Sequence, residues 1–131
     1  MSIINDLKKE ILLAAYKAGE GHIPSAFSIL DILWVLYDQI ISFDHNNPQD
    51  ENRDRFIMSK GHGSLALYAV LAEKNFINKK ELDSFASFDS ILGGHPDCTK
   101  VPGIEASTGS LGHGFPISVG IALGMHIMKS K

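Results

Sequence analysis

Cysteine is nearly missing from this 131-residue chain: Cys98 stands alone. That excludes an intrachain disulfide and any metal cluster built from cysteines, and it suits a reducing cytoplasm. Basic clusters are missing too. Twelve Lys and Arg against fifteen Asp and Glu leave a net charge of −3. With no Lys/Arg patch to meet a phosphate backbone or an anionic surface, neither nucleic acid nor a membrane is expected as the main partner. Long apolar runs are absent as well: the longest, 29–37 and 115–128, fall short of the ~18 to 20 residues that span a bilayer. The start, Met1 to Asp6, lacks the basic end and apolar run of a signal peptide. No G-x-x-x-x-G-K-[ST], no G-x-G-x-x-G after a strand and no G-x-S-x-G occurs, so a P-loop, a dinucleotide fingerprint and a serine hydrolase elbow are not indicated. What remains is ordinary globular composition, 44% hydrophobic and 21% charged. Such a chain can bury a core as one unit.

Ile4, Leu7, Ile11, Ala14, Ala15 and Ala18 recur at helical spacing, which predicts an amphipathic helix over 3–18. Gly19 and Gly21 end it. His22 to Ser25 reads as a fixed elbow, and Ser28 with Asp31 as a capping box opening a second helix that is apolar almost all round to Ile41, hence core or interface. After the solvated loop 44–54, Arg55 to Met58 reads as one short buried strand, and Ser59 to Ser64 turns the chain into a helix over 65–74. Asn78 and Glu81 form a further capping pair near Leu82. The stretch 87–104 reads as a long loop, of the kind that is functional or disordered. A last helix starts near Phe115, with Gly120 and Gly124 one turn apart so that another backbone can come close.

Three glycines lie within six residues at Gly109-Ser110-Leu111-Gly112-His113-Gly114, just before that helix. Glycine has no Cβ to block approach, and a helix N-terminus adds a positive dipole end, so the loop is either a tight packing turn or a ligand wall. Four histidines, His22, His62, His95 and His113, stand beside glycine at loops or element boundaries. Each can be merely solvated or hydrogen-bonded. Aimed into a cavity, they offer proton transfer and hydrogen bonds to hydroxyl or phosphate oxygens. Their spacing and the lack of a neighbouring Cys or Glu argue against zinc. Cys98, in its loop, reads as an incidental thiol.

Glu20-Gly21-His22, then Asp54-Arg55-Phe56-Ile57-Met58-Ser59-Lys60-Gly61-His62, then Gly94-His95-Pro96-Asp97, then Val101 to Gly112 resemble, in order and at family-like spacing, the start of transketolase. The resemblance covers nearly the whole chain. It implies an α/β fold class, this chain being the mostly helical N-terminal part of a layered thiamine diphosphate-binding fold with few strands, a single partial domain over 1–131. It also implies a two-carbon ketol transfer between sugar phosphates by a dimeric enzyme that uses thiamine diphosphate and a divalent cation, Mg. Carried over residue by residue, it sets His62 against the cofactor, has Gly109, Ser110 and Leu111 hold the cofactor's organic part, and lines the sugar channel with His22 and His95 as catalytic residues.

The chain departs from the family pattern at several points. Gly21-His22-Ile23-Pro24 replaces the common Gly-His-Pro-Gly, its isoleucine being similar to the short two-chain members, and His113 stands where glutamine is common. No Gly-Asp dipeptide occurs. The family's Gly-Asp-Gly and a later asparagine supply the oxygen ligands that a hard cation needs, so no metal ligand is expected in this chain. The glutamate that activates the pyrimidine is expected from elsewhere too, either from the remaining transketolase region or from a separate C-terminal chain. The alternatives are a non-catalytic binding or assembly module that keeps the fold remnant, and another thiamine enzyme such as a deoxyxylulose phosphate synthase.

Overall fold

The computed structural model describes residues 2–129. Its first helix, α1 (Ile3–Ala18), has the expected bounds and buries Leu7, Ile11, Ala14 and Ala15 along one stripe. Gly19 ends it in the left-handed conformation at φ 69°, its N–H donating to Tyr16 O, the role that glycine fills without Cβ strain.

The second helix, α2 (Ile23–Val35), begins five residues before the expected start at Ser28. Pro24 lies in its first turn, where the missing N–H would have been unpaired anyway and the fixed φ suits a helix. The elbow is therefore helix, and Ser28 Oγ donates to Ser25 O inside it instead of capping. The last turn widens into a π-helix over Leu36–Ile40, with Ile41 N–H donating to Leu36 O. Ala26, Leu30, Leu33 and Tyr37 form the buried stripe, but Ile32, Val35 and Ile40 face outward. The helix is thus enclosed on one side only. Together, 23–40 is long and apolar enough to cross a membrane by composition, and only its inner stripe is buried, packed on α1 and on the next helix.

Arg55 to Met58 forms no strand, and no strand occurs among the described residues. A strand needs a ladder partner, and none of the described segments pairs with this one. Met58 is nevertheless buried in the core. A 3-10 turn, Gly61–Gly63, leads into α3 (Ser64–Glu73), in which every residue from Ser64 to Ala72 is buried. This helix is the centre of the fold, with α1, α2 and a second 3-10 segment, Lys79–Ser84, packed around it. Asn78 caps that segment by accepting the Lys80 N–H.

The last helix, α4 (Gly114–Met128), stands apart. Only Gly114 is buried, while Phe115, Val119, Leu123, Ile127 and Met128 are exposed. Nothing among the described residues approaches Gly120 or Gly124 within 4 Å of an added Cβ. One side of α4 borders an open cavity of about 280 Å³ that it shares with Glu51 and Arg55.

Candidate functional site

Three turns of different elements deliver histidines to one place. His22 precedes α2, its carbonyl accepting the Ala26 N–H. His62 lies in the 3-10 turn before α3, and His95 lies in the loop 87–104. Together with Glu20, Ser64 and Phe85 they line a cavity of about 360 Å³. The His22 and His62 rings meet edge to face with centroids 5.3 Å apart.

The loop that carries His95 is fixed from below. Tyr68, on the buried α3, shares its one hydroxyl proton between Gly93 O at 3.0 Å and His95 O at 2.9 Å. Ser64 Oγ donates to Gly94 O at 2.9 Å. Burial pushes the Tyr68 phenol well above its ordinary pKa, so it remains a neutral donor. Asp97 closes the loop's far end by accepting Thr99 N–H and Thr99 Oγ1–H. Those bonds to Thr99 hold its carboxyl below the usual range.

The glycine-rich loop is built onto the same frame. Thr108 Oγ1 donates to Met58 O at 2.7 Å in a buried contact, and Thr108 N–H donates to Pro96 O. A Cβ on Gly61 would stand 2.5 Å from Thr108 O and 2.9 Å from Gly109 N, and one on Gly114 would stand 2.6 Å from Ser59 Cα. Real side chains do not come so close, so both ends of the loop sit on the 58–61 backbone through glycine. Phe115 N–H donates to Ser59 Oγ at 3.1 Å. At the loop's base, Glu105 takes Arg53 in a bidentate pair with both nitrogens at 2.8 Å, and Arg55 at 3.0 Å.

Gly109 lies against the His95 ring, 3.5 Å from Cδ2 to an added Cβ. Ser110, Leu111 and His113 are exposed beyond it and do not line the histidine cavity. The structure thus brings His22, His62 and His95 together with Gly109 at their edge, and leaves Ser110 and Leu111 on the neighbouring surface. It adds Glu20, Ser64 and Phe85, which the sequence did not single out. Glu20 had a signal, standing in Glu-Gly-His between two turn glycines; Phe85 had none. No group of three His, Cys, Asp or Glu side chains among the described residues is placed to hold a metal ion.

A buried central helix thus fixes loops that gather three imidazoles around one cavity, with Gly109 against the His95 ring. The chain belongs to the family described as "Transketolase, thiamine diphosphate binding domain", which matches residues 2–131. It is 43% identical over 123 residues to one of the subunits of the apulose-4-phosphate transketolase of Phocaeicola vulgatus, covering 94% of this chain and 43% of that protein. It is 49% identical over 118 residues to a Rhodococcoides fascians protein called ferredoxin fas2, covering 90% of this chain and 39% of that one. This chain holds one cysteine, where a four-cysteine iron–sulfur cluster takes four. Transketolase from Campylobacter jejuni superposes with a TM-score of 0.84 at 33% identity over 91% of this chain and 19% of that one. This chain spans less than half the length of these relatives.

Proposed function

We propose that this chain is the N-terminal portion of a thiamine diphosphate-dependent transketolase-like enzyme that moves a two-carbon ketol unit between sugar phosphates. The observation that carries it is the convergence of His22, His62 and His95 on one cavity beside Gly109. In this reading His22 and His95 face the sugar and pass protons to and from its hydroxyl oxygens. His62 stands on the cofactor side. Gly109 and Ser110 offer backbone groups, and Leu111 an apolar side chain, to the organic part of the cofactor. The residues fit that half of the group, because glycine leaves the approach open and Leu111 presents an exposed apolar surface beside it. Thiamine diphosphate, when bound, supplies the carbanion stabilisation that carbon–carbon cleavage needs. The Mg²⁺ ligands and the pyrimidine-activating glutamate come from outside this segment, from a remaining region or a second chain in a dimeric, cytoplasmic assembly. The Phocaeicola vulgatus relative is named as one subunit of its transketolase, which supports the two-chain form.

Purified by itself, the chain is expected to show no ketol transfer and weak thiamine diphosphate binding. Adding a chain that carries Gly-Asp-Gly and the activating glutamate should restore metal-dependent cofactor binding and then turnover. Robust turnover by the chain alone would sink the half-site reading. No restoration by any such partner would favour an assembly module, and a different donor and acceptor profile would favour a deoxyxylulose phosphate synthase.

A further inference from the structure

The histidine cavity has one charged wall. Among the described residues Glu20 is its only lining carboxylate, and no Lys or Arg lines it. The residue sits between Gly19 and Gly21, both with positive φ. Gly21 is pressed so closely on Ala15 and Leu65 that a Cβ there would stand 3.1 and 3.0 Å from them. The backbone is therefore closely packed on the Gly21 side of Glu20, while Glu20 itself is exposed. Its side chain reaches across to the opposite loop, with Oε1 3.7 Å from a Cβ placed on Gly94. It enters none of the ion pairs among the described residues. A carboxylate kept free at such a mouth accepts hydrogen bonds from hydroxyls and repels anions.

We propose that Glu20 is a specificity-determining residue: it makes this cavity take the uncharged, hydroxyl-bearing part of a substrate and turn away a phosphate group. The proposal deepens the ketol-transfer reading and rests on it for the substrate class. It assigns the phosphate end of a sugar phosphate to surfaces outside this cavity.

The test uses the full chain, with the ring resonances of His22, His62 and His95 as reporters. Titrations run at low ionic strength, where surface charge is least screened, and at one fixed pH of about 8 for every variant. Inorganic phosphate and ribitol are the probes. Glu20→Gln removes the charge at nearly constant shape, and it should raise phosphate affinity about fivefold over ribitol affinity. Glu20→Asp keeps the charge and should keep the wild-type ratio. An equal response of wild type and Glu20→Gln to both probes, including no response in either, overturns the proposal. The ketol-transfer reading is judged separately, by cofactor binding restored with the partner chain, so either can fail without the other.

Discussion

Helices α3 and α4 are entered the same way and end in opposite surroundings. Gly61-His62-Gly63 precedes α3, and Gly112-His113-Gly114 leads into α4. Both helices are apolar with little amphipathic bias. Yet α3 is buried from Ser64 to Ala72, whereas α4 exposes Phe115, Val119, Leu123, Ile127 and Met128. A helix that is apolar all round has no side to give to water, so it belongs inside an assembly. α3 has its assembly within this chain. α4 carries the same demand, and the described residues leave it uncovered.

The sharpest way to break this comparison is to cut one leucine from each helix. Leu71 is 0% exposed, and Leu71→Ala should lower the unfolding free energy by about 3 kcal/mol in a urea melt. Leu123 is 57% exposed, and Leu123→Ala should change it by no more than about 0.5 kcal/mol. An equal cost at both positions would mean that α4 is covered in solution by another copy of the chain.

Glycine substitutions come next in size and have opposite signs. A Cβ at Gly61 runs into Thr108 backbone that cannot swing away, so Gly61→Ala should cost about 2 kcal/mol. Gly120 meets nothing within 4 Å, so Gly120→Ala should raise helix content by circular dichroism, following a local gain of up to about 1 kcal/mol. If the same Gly120→Ala weakens assembly with a partner chain, the close-approach face expected from Gly120 and Gly124 is where the cover sits.

Hydrogen exchange sharpens the contrast without mutation. Amides of α3 should exchange only with global opening, and those of α4 at least about tenfold faster through local fraying. Comparable protection would again point to a covered α4.

The sequence carried more of the local structure than of the placement. α1 was legible to the residue because polar and apolar positions alternate at helical period and Gly19 marks the stop. The start of α2 was not, because Pro24 reads equally as an elbow or as a first helical turn. Arg55 to Met58 has the composition of a strand, but a strand exists only with a neighbour, which composition does not report. The one-sided burial of α2 and the exposure of α4 were hidden for one reason: a helix that is apolar all round has no periodicity to show which side is inside. Motif order brought His22, His62 and His95 under suspicion. Their meeting at one cavity depends on α3 fixing three turns at once; Glu20 came with the Glu-Gly-His motif, and Phe85 enters the wall through that packing alone.

The smallest effect belongs to the charge cluster at the end of α3. Lys79 pairs with Glu73 there and lies 3.8 Å from Glu10 on α1. Glu10 Oε2 is buried without a partner. Burial raises the Glu10 pKa above its ordinary 4.5, and the attraction of Lys79 offsets this only in part. A carboxyl with a raised folded-state pKa holds its proton more tightly in the folded chain. Its favourable contribution is therefore complete below the unfolded-state pKa and is lost as pH rises through the folded-state one. Glu10→Gln keeps the neutral shape at every pH. Relative to wild type it should leave stability nearly unchanged at about pH 3 and raise it slightly at about pH 7. Urea melts at the two pH values check the sign. A variant less stable than wild type at neutral pH would show that the Lys79 pair outweighs the burial of Glu10, so that α1 and the end of α3 are joined there by charge as well as by packing.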